Sequence, residues 1–379
     1  MIDAFNYIND IYYDIINKKY YYNNLYEKKI IIFLEKWFDK RQEKITIKSS
    51  GTNKRKKIFF KKKYMINSSI ISNKFFRLKK FSKILLCLPM DYIAAIMLLV
   101  RSIIFKWKVY CIKPNSNPLF NIKYNNIKFD FSSFTPFQAY NSISYINEKI
   151  KILLIGGGSM SDYLINKLNN LTKTKCYLSY GMTETLSHIA IRDIKKHKYY
   201  KVLYKNIILN TDKKKCLNIF LPYINIKVKT RDIVNIIKKK KEIYLEYIGR
   251  FDNIINSGGI KIYPEILEKL LSNFIINIKY FIIGKKDKIF GNIVTLFIES
   301  KSFFSIKVNN DLFNYKYKIF KPREIYFVPK FIFTNTGKIN KKKTYSKFFI
   351  EFEKKFFIVK KKFFSNINGK EIVYIYNIK

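Results

Sequence analysis

Glycine is scarce in this chain, and its placement is what most restricts the fold. Only 12 of 379 residues are glycine, and nine of them stand in six short groups: Gly51, Gly156–Gly158, Gly181, Gly249, Gly258–Gly259 and Gly337. Glycine alone takes a positive φ without strain and lets the backbone come close to a ligand or another strand. Amid long stretches of Lys, Ile, Asn, Tyr and Phe, these groups mark turns that the surrounding residue types make poorly. Three of them follow apolar runs of strand length, in KITIKSSG, KILLIGGG and KCYLSYG. Such turns at the carboxyl edge of an α/β sheet are where ligands bind in open folds of that class.

The rest of the pattern agrees. KILLCLP reads as a strand, Asp91–Phe105 as an apolar helix, and Trp107–Ile112 as a strand. FDFSSFTP leads into a helix near Phe137–Ile146, and Lys151–Gly158 is a strand followed by a helix near Asp162–Leu171. Strands alternating with helices predict an α/β domain with a mostly parallel sheet over residues 1–250. Beyond GRFDN the texture changes. PEILEKLL is a short helix with Pro264 at its start, and KYFIIGKKD, GNIVTLFIES and REIYFVP are strands. This predicts a small, mobile α+β domain over 251–344 and a tail of unassigned role over 345–379.

The formal charge of +47 would ordinarily point to nucleic acid or an anionic membrane. Lysine outnumbers arginine 66 to 8, however, and is spread along the whole chain rather than gathered in one stripe. Lys, Ile, Asn, Phe and Tyr are what an AT-rich genome encodes by default, so no specific nucleic-acid partner is expected. The four cysteines form no CxxC pair, which supports neither a zinc site nor a disulfide framework. The first residues lack a basic stretch followed by an apolar one, and Ile84–Val100 is broken by Pro89 and Asp91. A cytoplasmic protein without a membrane span is expected; composition leaves its oligomeric state open.

Each glycine group sits beside residues suited to a nucleotide. In SSGTNKRKK, backbone N–H groups with Ser and Thr hydroxyls could cradle phosphates, although the P-loop spacing is absent; a solvated Lys-rich hairpin turn fits the same residues. Bare backbone at Gly157–Gly158 and the ring of Tyr180 could enclose a base. Thr183 offers a hydroxyl to a phosphate, and Glu184 a carboxylate to a hard cation such as Mg²⁺. Asp232 and Arg250 pair an acceptor with a donor for a ribose diol; a surface ion pair is the plain alternative. Lys338 follows a glycine in TNTGKINKKK.

In order and spacing, SSGTNKRKK, GGG, YGMTET, TRD, GRFDNIINSGGIKIYPE and TGKIN resemble the successive motifs of the adenylate-forming acyl-CoA ligase superfamily, over roughly residues 45–343. CLPMDYIAA, PNSNPL and GMTETLSHIAIR further resemble the short o-succinylbenzoate–CoA ligases of menaquinone synthesis. The resemblance implies that ATP and a small-molecule carboxylate, an aromatic acid such as o-succinylbenzoate, give an acyl-adenylate and pyrophosphate with Mg²⁺, after which CoA displaces AMP. It implies that Ser50, Gly51, Thr52 and Lys57 wrap the leaving phosphates. Gly157, Gly158, Tyr180 and Gly181 would hold the adenine side, Thr183 the α-phosphate, and Glu184 the Mg²⁺. Asp232 and Arg250 would take the ribose, Asp252 would be the hinge, and Gly258–Gly259 would line the path of CoA. Lys338 would bridge carboxylate and α-phosphate, and Ser187 and His188 would face the acyl pocket.

The phosphate loop departs from the family pattern, with Lys54 and Lys56 where a Gly and a Pro are usual, and little chain precedes it. Other superfamily ligases, a decayed ligase and a basic nucleic-acid-binding protein are the competing readings. A serine hydrolase using Ser159 or Ser187 with His188 lacks a GxSxG elbow.

Overall fold

The computed structural model describes residues 22, 24–49, 56–122, 126–158, 160–276, 278–302, 306–309, 320–334, 338–352, 362–367 and 370–375. The expected phosphate-loop residues Ser50, Gly51 and Thr52 lie outside that set, as do Ser159 and Gly337.

Helix α1 (Leu25–Phe38), capped by Asn24, precedes an antiparallel hairpin of β1 (Lys44–Lys48) and β2 (Lys57–Lys61). Chain alternation then builds the main sheet. Strands β3 (Lys83–Leu86), β4 (Lys108–Cys111), β5 (Phe129–Phe134), β6 (Ile150–Ile155) and β7 (Lys175–Met182) pair in parallel, in the order β4-β3-β5-β6-β7. Their runs are apolar because both faces are covered. On β3, Ile84 and Leu86 join the core formed with α1, α2 (Lys62–Phe76) and α3 (Ile93–Phe105). Leu85 points the other way, to the core under α4 (Pro136–Asn141), α5 (Ile143–Lys149) and α6 (Asp162–Asn169). The helix expected over 137–146 is thus two helices that break at Ser142; Thr135 and Gln138 form a capping box ahead of the first.

The parallel strands are only part of the sheet. After β7 it continues antiparallel through β8 (Ser187–Asp193), β9 (Tyr200–Val202), β10 (Ile208–Thr211), β11 (Cys216–Leu221), β12 (Ile226–Lys239) and β13 (Glu242–Arg250), giving 11 strands. Strands adjacent in sequence pair as antiparallel neighbours within β7–β9 and within β10–β13, and β13 returns to pair with β9, which joins the two ladders into one sheet.

Sheet membership changes after Arg250. A turn at Gly258–Gly259 joins β14 (Ile255–Ser257) to β15 (Ile260–Ile262), and α7 (Pro264–Leu271) packs beside β16 (Tyr280–Asp287) and β17 (Gly291–Glu299). Strand β18 (Ile306–Asn309) lies elsewhere, while β19 (Glu324–Val328) pairs in parallel with β17. Helix α8 (Lys341–Phe352) runs straight through residue 344, and its buried Phe348 packs on Phe297 and Tyr326. The residues just past 344 therefore belong to a packed helix rather than to a separate tail. Strands β20 (Lys362–Ile367) and β21 (Lys370–Ile375) form a hairpin that pairs with β18. No helix among the described residues is long and apolar enough to cross a membrane.

Candidate active site

Two turns that lie 68 residues apart in sequence meet at the end of the sheet (Gly181 to Gly249). Strand β7 delivers Tyr180, and the paired strands β12 and β13 deliver Asp232 and Arg250, which are register partners. The Tyr180 hydroxyl donates to Asp232 Oδ2 at 3.0 Å, and Arg250 Nη1 lies 3.5 Å from Asp232 Oδ1. Burial raises the Asp232 pKa, against the pull of the Arg250 charge, the Tyr180 hydrogen bond and the Lys338 charge. Burial likewise pushes the Tyr180 phenol up, with Asp232 adding to it. Its ring stands 6.3 Å from that of Tyr247.

Lys338 reaches the same cluster from the other side of the molecule's sequence. Its side chain is accessible to solvent, and its backbone exchanges hydrogen bonds with Thr334. Desolvation lowers its pKa, the Arg250 charge lowers it further, and Asp232 partly offsets both. Asp232, Arg250 and Lys338 are therefore within electrostatic reach of one another.

Asp252 is held by two arginines. Arg231 Nη2 lies 2.7 Å from Asp252 Oδ1 and Arg250 Nη2 3.4 Å from Oδ2. The side-chain hydrogen bond from Arg231 is the main reason its carboxyl stays below the usual range. The guanidinium of Arg231 also covers the Phe251 ring at 4.4 Å.

The turn after β7 is tight for a steric reason. A Cβ on Gly181 would fall 2.1 Å from the Ser187 carbonyl oxygen and 2.6 Å from the His188 Cα, where β7 and β8 shift register. Thr185 Oγ1 accepts from the Met182 N–H at 3.0 Å and donates to the Ser187 carbonyl at 2.7 Å. Leu186 and Ser187 take φ of 54° and 82° to complete the bend. This leaves Thr183 buried and Glu184 half-buried with no ion pair to a described residue. No group of three His, Cys, Asp or Glu side chains gathers among the described residues. A lone available carboxylate fits a Mg²⁺ whose other ligands are phosphate oxygens and water.

The remaining expected residues are placed as follows. Gly157, at φ 80° with open space where a Cβ would stand, and Gly158 are exposed just past β6. Gly258 and Gly259, at φ 54° and 81°, form the exposed β14–β15 turn. Lys57 opens β2, exposed and in register with Lys48; no contact among the described residues ties it to the Asp232 cluster. Gly51 thus follows a strand of a separate two-stranded hairpin and Gly258–Gly259 join the two strands of another, whereas Gly156–Gly158, Gly181 and Gly249 stand at strand ends of the main sheet.

His188 is buried and packs inward from β8. Its Nε2 is 3.0 Å from Ser72 Oγ on α2, and Ser187 Oγ is 3.5 Å from its Nδ1. Burial drives the imidazole pKa well below its ordinary value, and the nearby Arg101 charge adds to the effect.

Arg101 and Glu265 carry features that the motif reading passed over. Arg101 is 3% exposed on α3, and its Nε and Nη2 have no hydrogen-bond partner among the described residues. Burial brings its pKa down to about 10, so it remains charged at neutral pH. A buried, unpaired charge costs several kcal/mol, roughly 3–5, unless something binds it. The available signal was one arginine inside the otherwise apolar run IAAIMLLVRSIIF.

No protein-family model matches the sequence, and no curated protein matches it. Solved structures do. An acyl-CoA synthetase (AMP-forming)/AMP-acid ligase II-like protein from Dyadobacter fermentans is 26% identical, with a TM-score of 0.56 over 87% of this chain and 97% of that one. The o-succinylbenzoate–CoA synthetase of Bacillus subtilis, solved with its acyl-adenylate intermediate, is 19% identical, with a TM-score of 0.66 over 78% of this chain and 67% of that one. The same enzyme bound to ATP and magnesium gives 19% and 0.65 over 79% and 69%. The chain has the fold of the adenylate-forming acyl-CoA synthetases.

Proposed function

We propose that this chain is an ATP-dependent carboxylate–CoA ligase working through an acyl-adenylate, with o-succinylbenzoate as its acid, in menaquinone biosynthesis. The observation that carries the reading is the convergence of Tyr180, Asp232, Arg250 and Lys338 from three separate stretches onto one cluster of charged and hydroxyl groups. A cytoplasmic location belongs to the same reading, because ATP and CoA are held there.

In the first half-reaction a carboxylate oxygen attacks the α-phosphorus and pyrophosphate leaves. Negative charge grows on the α-phosphate oxygens, and the Lys338 ammonium answers it where it develops. Its lowered pKa reflects a partly dry setting, in which that interaction is worth more than in water. Asp232 accepts from the ribose diol and Arg250 donates to it, while Gly157, Gly158, Gly181 and Tyr180 border the base. Thr183 meets the α-phosphate; Ser50, Gly51, Thr52 and Lys57 meet the departing phosphates. Glu184 would hold Mg²⁺, which screens the charge on the phosphates.

Residues 1–250 form the large domain in this reading and 251–344 a lid turning about Asp252. Turning withdraws Lys338 and brings Gly258–Gly259 round to border the CoA arm, so that the thiol displaces AMP from the acyl carbon. Arg101 supports the choice of acid. Its unpaired guanidinium, together with Ser187 and His188, suits an acyl group bearing a second carboxylate, as o-succinylbenzoate does. Another superfamily ligase acting on a different dicarboxylic acid is the second reading that Arg101 allows.

The test is exchange of labelled pyrophosphate into ATP over a panel of aromatic and aliphatic acids. Exchange that depends on o-succinylbenzoate and falls at least about a hundredfold in Lys338→Ala is expected, the scale of losing one preorganised transition-state contact. Absence of exchange with every acid would end the ligase reading.

A further inference from the structure

Helix α7 touches the large domain at both of its ends. At its start, Glu265 Oε1 accepts from the Arg250 backbone N–H at 3.4 Å and from Asn253 Nδ2 at 2.5 Å. The other oxygen, Oε2, is buried without a partner among the described residues. It lies 2.6 Å from where a Cβ on Gly249 would stand. Gly249 is thus bare partly because a carboxylate occupies the room a side chain would need. Just past the end of α7, Ser272 Oγ accepts from the Asp162 N–H at 3.1 Å, and Lys269 Nζ is 3.8 Å from Asp162 Oδ1. Ser272 keeps that orientation by donating to the Lys269 carbonyl at 2.7 Å.

These two attachments fall on the segments that border the nucleotide crevice. Asp162 begins the helix that follows the Gly156–Gly158 turn, and Gly249–Asn253 carries Arg250 and the hinge residue Asp252. One short rigid helix therefore spans from the base-side rim to the ribose-side rim. A rotation of the lid about Asp252 must break the Ser272 and Lys269 contacts to Asp162 and part Glu265 from the Arg250 N–H, because Asp162 and Arg250 stay behind with the large domain while Asn253 turns with the lid.

We propose that Glu265 is a lid-borne positioning residue for adenylation: it clamps the 249–253 segment so that Arg250 and Lys338 face one another across the crevice. The inference rests on the ligase reading above. Glu265 does not touch the reacting atoms; it acts by fixing the backbone of Arg250 and the amide of Asn253. Ser272 and Lys269 fasten the far end of the same helix, so the clamp belongs to the lid position seen here and is released when the lid turns for the thiol step.

The experiment compares wild type, Glu265→Gln and Glu265→Ala in two assays. Pyrophosphate exchange with o-succinylbenzoate reads the first half-reaction; thioester formation from supplied o-succinylbenzoyl-adenylate and CoA reads the second. Glu265→Ala is expected to lower exchange kcat about tenfold, the effect of one lost charge-assisted hydrogen bond, with the thioester step within about twofold. Glu265→Gln keeps the Oε1 acceptor and should restore most of the exchange rate. Equal losses in both steps, or no loss in exchange, overturn the proposal.

Deuterium uptake by the ligand-free protein separates this failure from a failure of the ligase reading. Amides in 249–253 should exchange at least about fivefold faster in Glu265→Ala, since a local opening free energy is being reduced, while the melting temperature stays within about 3 °C. Should the wild type show no pyrophosphate exchange, uptake alone decides: unchanged uptake over 249–253 sinks the clamp.

Discussion

Replacing Gly181 by alanine isolates the close approach that shapes the turn before Thr183 and Glu184. The new Cβ would stand 2.1 Å from the Ser187 carbonyl oxygen and 2.6 Å from the His188 Cα. Ordinary contact for such pairs is about 3.5 Å, so a separation of about 1 Å or more must open. Both obstacles are backbone atoms of β8, which cannot swing away as a side-chain tip would. The register shift between Tyr180 and Gly181 would have to be remade, together with the hydrogen bond from Thr185 Oγ1 to the Ser187 carbonyl. Overpacking of this kind costs about 2–3 kcal/mol, which in a domain of this size lowers the melting temperature by about 4–10 °C. Gly157→Ala is the matched control: nothing lies within 4 Å of its Cβ position, but φ is +80°. Only the left-handed backbone is penalised there, at about 1 kcal/mol. Urea melts of the three proteins give the stabilities directly. Pyrophosphate exchange should fall more in Gly181→Ala than its stability loss explains, because Thr183 moves with the turn. A Gly181→Ala protein as stable and active as wild type would refute the claim that β7 and β8 are locked at this contact.

Other outcomes follow from the charged groups. Lys338→Ala should suppress adenylation while leaving thioester formation from supplied acyl-adenylate within about threefold, since the ammonium acts on charge developing in the first step alone; equal losses would refute that role. Because burial lowers the Lys338 pKa, the proton needed for adenylation is lost at a pH below the ordinary lysine value. Exchange should therefore decline on the alkaline side earlier than an exposed lysine would allow, and this limb should vanish in Lys338→Ala. By the same sign, keeping Lys338 charged costs stability at neutral pH, and that cost fades as pH rises through its folded pKa. Arg101→Met removes a buried unpaired charge and should leave the ligand-free protein as stable as wild type or more so, by up to about 3 kcal/mol. Its KM for o-succinylbenzoate should nonetheless rise at least about tenfold with the KM for ATP unchanged, one charge-assisted hydrogen bond being worth that much; an unaltered acid KM would remove Arg101 from the acyl pocket.

Local chemistry explains what could be read early. Gly181, Gly249 and Gly258–Gly259 were visible because a missing side chain is itself a signal, and YGMTET and GRFDN were visible as unusual words in a biased composition. The alternation KILLCLP, apolar helix, WKVYCI corresponds to β3, α3 and β4, since burial on both faces leaves an unbroken apolar run. The six antiparallel strands were harder to see. Short half-polar strands such as NIFL and KVKTRD read alike in either direction, and their pairing depends on turns between distant partners. The break at Ser142 has no side-chain cap to announce it, and the residues around it also fit a continuous helix. Arg101 stands far in sequence from every glycine group, inside an apolar helix. Its meaning comes from α3 packing under β8, which sets it against His188, and no local pattern carries that contact. Glu265 reads from sequence as a first-turn acid of PEILEKLL, a place where any carboxylate is favoured.

The order of residues alone determined the secondary structure of the parallel strands, the bends at the glycine groups and the set of groups able to meet ATP. These follow from φ preferences, side-chain periodicity and the chemistry of single residues, all of which act over a few positions. Tertiary structure decided that Asp232 is partnered by both Tyr180 and Arg250, that Arg101 Nε and Nη2 are buried without a hydrogen-bond partner among the described residues, and that α7 touches both Asp162 and Arg250. Those outcomes depend on burial and on contacts between segments as far apart as Asp162 and Ser272, and desolvation at such a meeting point is a property of the folded volume rather than of any stretch of chain.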